Sequence, residues 1–227
     1  MSEQERQFEK LRREIAVATR AYGDDPAENR RLRVALARAD ELHMPEDMRR
    51  KARDLGTGEV DGPDYEERIY EGYGDAGIAV LVRAITDAPS ETQSELEQLF
   101  EQFGGNLGDE GCVAWLFERQ GVVEVSAEHV DDPDQFLLQV IEWGARELEE
   151  PASGADTYRI HCDPQDLDEL VDALSEMHPV ASASIVYEPT QQVPVEHQVA
   201  RDFMRFLETL TARVDVRRAY ANWTLET

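Results

Sequence analysis

The chain has 227 residues, with 49 acidic and 23 basic side chains and a formal net charge of −26. This length predicts one large domain or two to three small ones. Two cysteines, Cys112 and Cys162, are too few for a disulfide framework or a four-cysteine zinc site. No apolar run reaches the roughly 18 to 20 residues that span a bilayer, and the charged N-terminus is unlike a signal peptide. The sequence therefore predicts a cytosolic protein with no membrane partner.

The charge has an unusual make-up, with 21 arginines but only two lysines, Lys10 and Lys51. At high salt, ions screen the self-repulsion that so many carboxylates would otherwise cause. We interpret the surface as adapted to high salt. The alternative is an acidic protein from a GC-rich genome.

The first 60 residues predict three short amphipathic helices. Apolar side chains recur at helical spacing in Phe8–Tyr22, Leu32–Leu42 and Met48–Leu55, with Asp25 before Pro26 as a helix cap and Pro45 in a first helical turn. These 60 residues carry 13 basic and 13 acidic side chains, so all of the net charge lies beyond them. A glycine-rich stretch then indicates a boundary at about residue 62.

From Tyr65 onward the pattern alternates between strand and helix periods. Gly104-Gly105 ends the first helix of this region, and Gly121 is interpreted as a turn between two strands. The predicted strands are 65–73, 78–86, 112–118, 122–125, 157–162, 182–187 and 217–225, and the predicted helices are 90–103, 135–148, 164–177 and 195–210.

These elements predict an α+β fold in which an N-terminal three-helix bundle, residues 1–62, precedes two α+β domains. The first would be ferredoxin-like, from residues 63–127 and 195–227, because its strands and helices then follow a β-α-β-β-α-β order. Residues 128–194 would form a second α+β domain inserted into the first.

The basic side chains of the bundle are the best candidates for binding phosphate, because arginine presents a planar fork that matches phosphate oxygens. Arg6, Arg13 and Arg20 also recur every seven residues along one helical stripe. The opposing interpretation is a solvated face with acid–base pairs such as Glu9 with Arg13 and Glu46 with Arg50. The candidate nucleic-acid-binding residues are Arg12, Arg13, Arg20, Arg30, Arg31, Arg33, Arg49, Arg50, Lys51 and Arg53.

No pattern predicts catalysis, a metal, a cofactor or a small-molecule substrate. The five histidines lack metal-ligand spacing, and His161 and Cys162 point to opposite faces of one strand. A helix precedes the Gly104–Gly108 run, so a helix cap with a turn is favoured over a phosphate loop. Trp115 could stack on a base, but its alternating context favours core packing.

Several segments resemble the YebC/PmpR family, which includes mitochondrial translational activators of cytochrome oxidase. The resemblance implies a helical domain, two α+β domains, a cytosolic location and either DNA-binding transcription regulation or ribosome-associated translation. The segments that carry it are Asp25-Pro26-Ala27-Glu28-Asn29, Met44-Pro45, Tyr70-Glu71-Gly72-Tyr73-Gly74, Gly104-Gly105-Asn106-Leu107-Gly108 and Val113-Ala114-Trp115-Leu116-Phe117-Glu118-Arg119-Gln120-Gly121.

The sequence departs from this family at two basic segments. Family members usually begin with Gly-His-Ser-Lys-Trp and a lysine-rich stretch, whereas this sequence starts at Met1-Ser2-Glu3-Gln4. Their Asn-Arg-Asn-Arg-Thr loop is replaced here by Ala88-Pro89-Ser90-Glu91-Thr92. Both changes remove cations that would face phosphates.

Together these observations predict a non-enzymatic regulatory factor that contacts DNA, ribosomal RNA or the ribosome through the arginines of the bundle. The alternative is a diverged paralogue that acts as a protein-interaction module and does not bind nucleic acid.

Overall fold

A computed structural model describes residues 1–151 and 156–226, and it confirms the α+β class and the three N-terminal helices. The helices are α1 (Glu3–Tyr22), α2 (Arg30–Glu41), α3 (Glu46–Thr57), α4 (Pro89–Gln102), α5 (Pro133–Glu142), α6 (Leu167–Ser175) and α7 (His197–Thr211). The strands are β1 (Glu66–Tyr73), β2 (Ala79–Thr86), β3 (Asn106–Leu107), β4 (Phe117–Ser126), β5 (Ala145–Glu149), β6 (Thr157–Cys162), β7 (Val180–Pro189), β8 (Val193–Val195), β9 (Val216–Ala221) and β10 (Trp223–Leu225).

The chain forms two compact units, and one is inserted into the other, as predicted. The first unit consists of Met1–Leu116 and Gln191–Thr227, and the second of Phe117–Thr190. The insertion therefore starts at Phe117 and not at the predicted residue 128. The bundle, expected to end at residue 62 as a domain of its own, lies within the first unit.

Capping side chains fix where the helices of the bundle begin. Ser2 and Glu5 form a reciprocal capping box at the start of α1. The cap of α2 is Asn29, whose side chain accepts a hydrogen bond from the Leu32 N–H at 3.0 Å. Asp25 was predicted for this role, but it accepts from the Ala27 N–H in the preceding turn instead.

The first sheet is antiparallel, has the order β3-β1-β2-β9 and is covered on both faces. On one face Val80 packs against Phe100 of α4 and Phe206 of α7, whose rings meet edge to face at 4.9 Å. On the other face Ile85 packs against Ala16 of α1. The bundle therefore lies against the sheet, and this position decides what its arginines can reach.

The second unit corrects the prediction of which domain has the ferredoxin-like order. The expected strands 112–118 and 122–125 are replaced by the single strand β4, which pairs with β6 and β7. The elements β4-α5-β5-β6-α6-β7 form a sheet of order β5-β6-β4-β7, and this is the β-α-β-β-α-β arrangement. In the first unit, the strands next to β2 in the sheet are β1 and β9, and not those predicted at 112–118 and 122–125.

Two glycines explain the differences between predicted and observed elements. A Cβ on Gly121 would lie 2.6 Å from the Cys162 Sγ, so glycine permits close packing there and does not make a turn. Gly144 has a φ of +96°, which ends α5 and allows β5 to form inside the predicted helix 135–148.

The Gly104-Gly105 pair behaves as the helix cap and turn that the sequence favoured. Gly104 has a φ of +78° just after the end of α4, and a Cβ on Gly105 would lie 2.3 Å from the Tyr73 carbonyl oxygen. Because α4 precedes this pair, no helix N-terminus faces it, and a phosphate loop is not formed.

Candidate nucleic-acid interface

The ten candidate cations lie on all three helices of the bundle, but they do not form one open face. Those of α1 face the first sheet, and Arg31 of α2 joins them there. Of those on α3, Arg49 faces α2 and Arg53 faces the loop before α2.

The seven-residue arginine stripe of α1 is a contact seam within the first unit. Arg13 donates to the Ile85 carbonyl oxygen at 3.0 Å, and its guanidinium lies 4.7 Å from the centre of the Tyr65 ring. Arg20 donates to the Tyr65 carbonyl oxygen at 2.7 Å and pairs with Asp64. These two side chains therefore fasten α1 to β2 and to the residues just before β1.

Farther toward the N-terminus, the same helix caps α7. Arg6 and Lys10 donate to the carbonyl oxygens of Ala212 and Thr211, where α7 ends. Cations are stabilising at the negative end of a helix dipole. Burial, with repulsion from Arg217 and Arg6, lowers the pKa of Lys10 to about 8.

Arg12 is held by its own helix and by the start of the first α+β domain. Its guanidinium donates at 2.7 Å to Glu9 Oε1 and at 2.7 Å to the Tyr65 hydroxyl. Glu9 also lies 3.5 Å from Arg13, so the predicted Glu9–Arg13 pair is present.

A chain of alternating charges joins two helices of the bundle to three strands of the first sheet. The carboxylate of Glu14 accepts from Arg31 Nε at 2.7 Å and from Arg217 Nε at 2.9 Å. Arg31 also donates to Glu67 at 2.9 Å, and Glu67 pairs with Arg83. Glu14 is buried, and its two arginine partners provide the compensation that a buried charge requires.

The pKa values of this chain follow from burial opposed by pairing. Burial alone would raise the pKa of Glu14, but Arg217 and Arg31 outweigh it and hold that pKa below its usual value. Burial would lower the pKa of Arg31, and the carboxylates of Glu14 and Glu67 instead raise it. Both partners therefore stay ionised, and Arg31 is not available to a phosphate.

The cations of α3 divide into paired and exposed ones. Arg49 pairs with Asp40 and, at 2.8 Å, with Glu46, which corrects the predicted Glu46–Arg50 pair. Arg53 donates to the Asp24 carbonyl oxygen at 2.8 Å and approaches its carboxylate at 3.3 Å.

Three candidates keep most of their charge open to solvent, and we call them the exposed cations: Arg33, Arg50 and Lys51. Arg33 donates only to the carbonyl oxygens of Pro26 and Ala27, and Arg50 makes no hydrogen bond or ion pair within residues 1–151 and 156–226. Lys51 has one long ion pair, with Asp47 at 3.8 Å, and its side chain is 70% exposed. Arg30, the remaining candidate, is half-buried at the start of α2.

The loop that differs from the family pattern is built into a buried polar network. Thr92 Oγ1 lies 2.9 Å from Thr86 Oγ1 and donates to Asp215 at 3.0 Å. Pro89 opens α4, and its carbonyl oxygen accepts from the Tyr70 hydroxyl at 3.1 Å. No sequence signal marked Asp215 as a partner of the two threonines, because it lies 123 residues beyond Thr92.

Glu71 has a structural role that sequence reasoning did not identify. Its buried carboxylate accepts three backbone N–H groups, from Gly111 at 2.8 Å, Val113 at 2.8 Å and Ala114 at 2.6 Å. These bonds hold the segment before β4 against β1, so that it forms a turn and not the predicted strand.

Trp115 lies on this held segment, and its indole is 68% exposed. Core packing was favoured for it, and the structure corrects that expectation. Its Nε1 donates to the Cys112 carbonyl oxygen at 3.1 Å, which fixes the ring in its exposed position. Trp223, in contrast, packs edge to face on Phe203 with ring centres 6.0 Å apart.

The titratable side chains of the described residues offer no metal centre. Within residues 1–151 and 156–226, no three His, Cys, Asp or Glu side chains are grouped to hold a metal ion. His161 Nδ1 lies 2.9 Å from Gln120 Oε1, while Cys162 is part of the second core, so the two side chains do point apart. None of the described helices is both long and apolar enough to cross a membrane.

Family comparisons account for nearly the whole chain. Residues 2–59 match the TACO1/YebC protein N-terminal domain, and residues 65–223 match the TACO1/YebC second and third domain. A "Probable transcriptional regulatory protein" of Dictyoglomus turgidum is 37% identical over 96% of this chain and 87% of its own length. One of the same name from Thermotoga maritima is 37% identical over 96% of this chain and 85% of its own length.

A solved structure agrees with these matches. The crystal structure of a conserved hypothetical protein from Aquifex aeolicus superposes with a TM-score of 0.87 at 36% identity, over all of this chain and 92% of that one. The bundle, the sheet it packs against and the inserted ferredoxin-like unit thus belong to a known fold and to matching family domains. This chain is a member of the TACO1/YebC family.

Proposed function

We propose that this protein is a non-enzymatic regulatory factor that binds nucleic acid or ribonucleoprotein through the exposed cations Arg33, Arg50 and Lys51. The observation that carries the proposal is that these side chains stay open to solvent in an otherwise acidic molecule. Phosphate contacts position a protein on nucleic acid without reading its sequence. Relatives named as probable transcriptional regulatory proteins support a regulatory role.

The contact set is narrower than the ten residues that the sequence suggested. Seven of the ten have ion pairs with carboxylates of the chain itself: the six arginines Arg12, Arg13, Arg20, Arg31, Arg49 and Arg53, and Lys51, whose exposed pair with Asp47 is long at 3.8 Å. A phosphate would have to displace those carboxylates before it could bind there. Binding through the bundle should therefore be weak and salt-sensitive.

A charge reversal at two exposed cations tests the proposal. We expect Arg33→Glu with Arg50→Glu to weaken co-sedimentation with ribosomes of the same cell, or binding to duplex DNA, whichever the wild type shows. If each side chain contacts one phosphate, the slope of log K against log salt falls by about two in magnitude. Ribosome sedimentation and a DNA mobility-shift titration distinguish the two targets.

The matched control changes the same total charge elsewhere in the first unit. Arg201→Glu with Arg205→Glu reverses two exposed arginines of α7. If both double variants lose binding equally, net charge and not the bundle governs it, and the proposed contact set is wrong. A cytosolic location remains a prediction that fractionation of the cell can check.

The pairing of most bundle arginines favours a second candidate function, that of a protein-interaction module without nucleic-acid binding. Neutralised cations and a net charge of −26 would both reduce attraction to phosphate. Wild-type protein that binds neither ribosomes nor DNA at any salt concentration would support this second candidate over the first.

A further inference from the structure

The helices of the inserted unit carry no positive charge. Residues 117–190 contain 18 carboxylates and three arginines, Arg119, Arg146 and Arg159, all of which lie on strands. Arg146 pairs with Glu118 and Asp163, and Arg159 pairs with two further carboxylates at the sheet. Neither α5 nor α6 therefore carries an arginine or lysine of its own.

Exposed apolar side chains form a row on α5. Leu137, Leu138 and Ile141 are 38%, 65% and 51% exposed, while Phe136 and Val140 of the same helix are buried in the core. Ile141 lies four positions after Leu137 and three after Leu138, so it neighbours both on the helix surface, and the three form a continuous α5 apolar row. Single exposed apolar side chains are ordinary, but a row on one helix face marks a contact surface.

Exposed carboxylates lie on both helices, and Glu142 is next to the α5 apolar row because it follows Leu138 by four helical positions. Glu142 of α5 and Glu169 and Asp172 of α6 are exposed and have no ion pair within the described parts of the chain. Both helices pack on one face of the second sheet, in a common core with Val123 and Ile160. Their outer sides thus present one apolar row together with these exposed carboxylates.

We propose that the α5 apolar row is a docking site for a basic, amphipathic polypeptide segment of a partner protein. Leucine-like side chains of the segment would cover the row, while its arginines or lysines would neutralise the exposed carboxylates. The same charges disfavour nucleic acid, an anionic membrane and a second copy of this chain. This inference concerns the inserted unit, and its test is independent of the proposed function of the bundle.

The test uses the full chain and a labelled synthetic peptide of about 18 residues with leucines on one helical face and arginines on the other. We expect fluorescence anisotropy to show binding that is at least about tenfold weaker for Leu138→Ser with Ile141→Ser. A peptide of the same composition without an apolar face, and one with glutamates in place of the arginines, should each bind far more weakly. Met204→Ser, on an exposed position of α7, is the matched control.

A second variant tests the charge separately and leaves the row intact. Glu169→Gln with Asp172→Asn should weaken binding at low salt and match the wild type at molar salt, because screening removes the attraction there. Equal binding of wild type and the double serine variant, with both folded by circular dichroism, would overturn the proposal. So would sedimentation showing a wild-type dimer that Leu138→Ser with Ile141→Ser makes monomeric, since the row would then join two copies.

Discussion

Replacing Glu14 by alanine is expected to lower the free energy of unfolding by about 3 kcal/mol, because breaking a buried ion pair leaves its partners without compensation. For a protein of this size the midpoint of thermal unfolding would fall by roughly 10 °C. Glu14 accepts from Arg31 and Arg217 and so joins α1, α2 and β9. Its loss should loosen the bundle from the sheet, measured by thermal and urea unfolding.

The stabilisation by Glu14 should depend on pH in one direction. The folded protein holds the pKa of Glu14 below its ordinary value of 4.5, so the unfolded chain binds the proton more readily. The stabilisation is therefore fully present above about pH 4.5 and is lost as the pH falls through the folded-state pKa. The difference in unfolding free energy between wild type and Glu14→Ala should shrink toward pH 3.

The control is an ion pair of the same chemistry at the surface. Glu41 lies 2.7 Å from Arg38, and both side chains are about 60% exposed. Glu41→Ala should change stability by about 0.5 kcal/mol or less, because exposed pairs contribute little in water. If Glu14→Ala costs no more than Glu41→Ala, the charge chain does not hold the bundle to the sheet.

Thermal stability is expected to rise steeply with salt, and this is the second large effect. The excess of 26 negative charges causes repulsion between carboxylates. Salt reduces the Debye screening length of this repulsion from about 10 Å at 0.1 M to about 3 Å at 1 M. We expect the midpoint of unfolding to rise by on the order of 10 °C between these concentrations of NaCl. Such a rise would support our proposal that the surface is adapted to high salt.

Neutralising two carboxylates distinguishes screening from a general salt effect. Glu169→Gln with Asp172→Asn removes two uncompensated charges from the inserted unit, so it should raise the midpoint at low salt and leave it unchanged at molar salt. Sucrose in place of NaCl should produce no such convergence of the two proteins. A midpoint that stays flat across the salt range would contradict adaptation to high salt.

The existence of most helices and strands could be predicted because the spacing of apolar residues along the chain indicates which side of an element is buried. The stripes at Phe8–Tyr22 and Leu32–Leu42 became α1 and α2, and the alternation around Val80 became β2. Their pairing could not be predicted in the same way. Gly121 is typical of a turn in sequence, yet it lies inside β4. Glycine is needed there because a Cβ would clash with the Cys162 Sγ.

The candidate site shows the same limit more sharply. Arginines at seven-residue spacing look alike whether they face solvent or a neighbouring sheet, and only the fold showed Arg13 and Arg20 donating to backbone carbonyls. Arg33 and Arg50, in contrast, stayed exposed as expected. Which cations remain open depends on partners far away in sequence, such as Ile85, and no local pattern encodes them.

By itself, the sequence determined the acidic charge, the three amphipathic helices, the α+β class and the resemblance to the family. Composition and periodicity can be read from the chain without knowing which distant segments it contacts. Tertiary structure alone decided that Glu14 is a buried junction, that Glu71 holds three N–H groups and that Trp115 is exposed. Burial and pairing of a polar group are set by segments that meet only when the chain folds, because desolvation depends on everything packed around it.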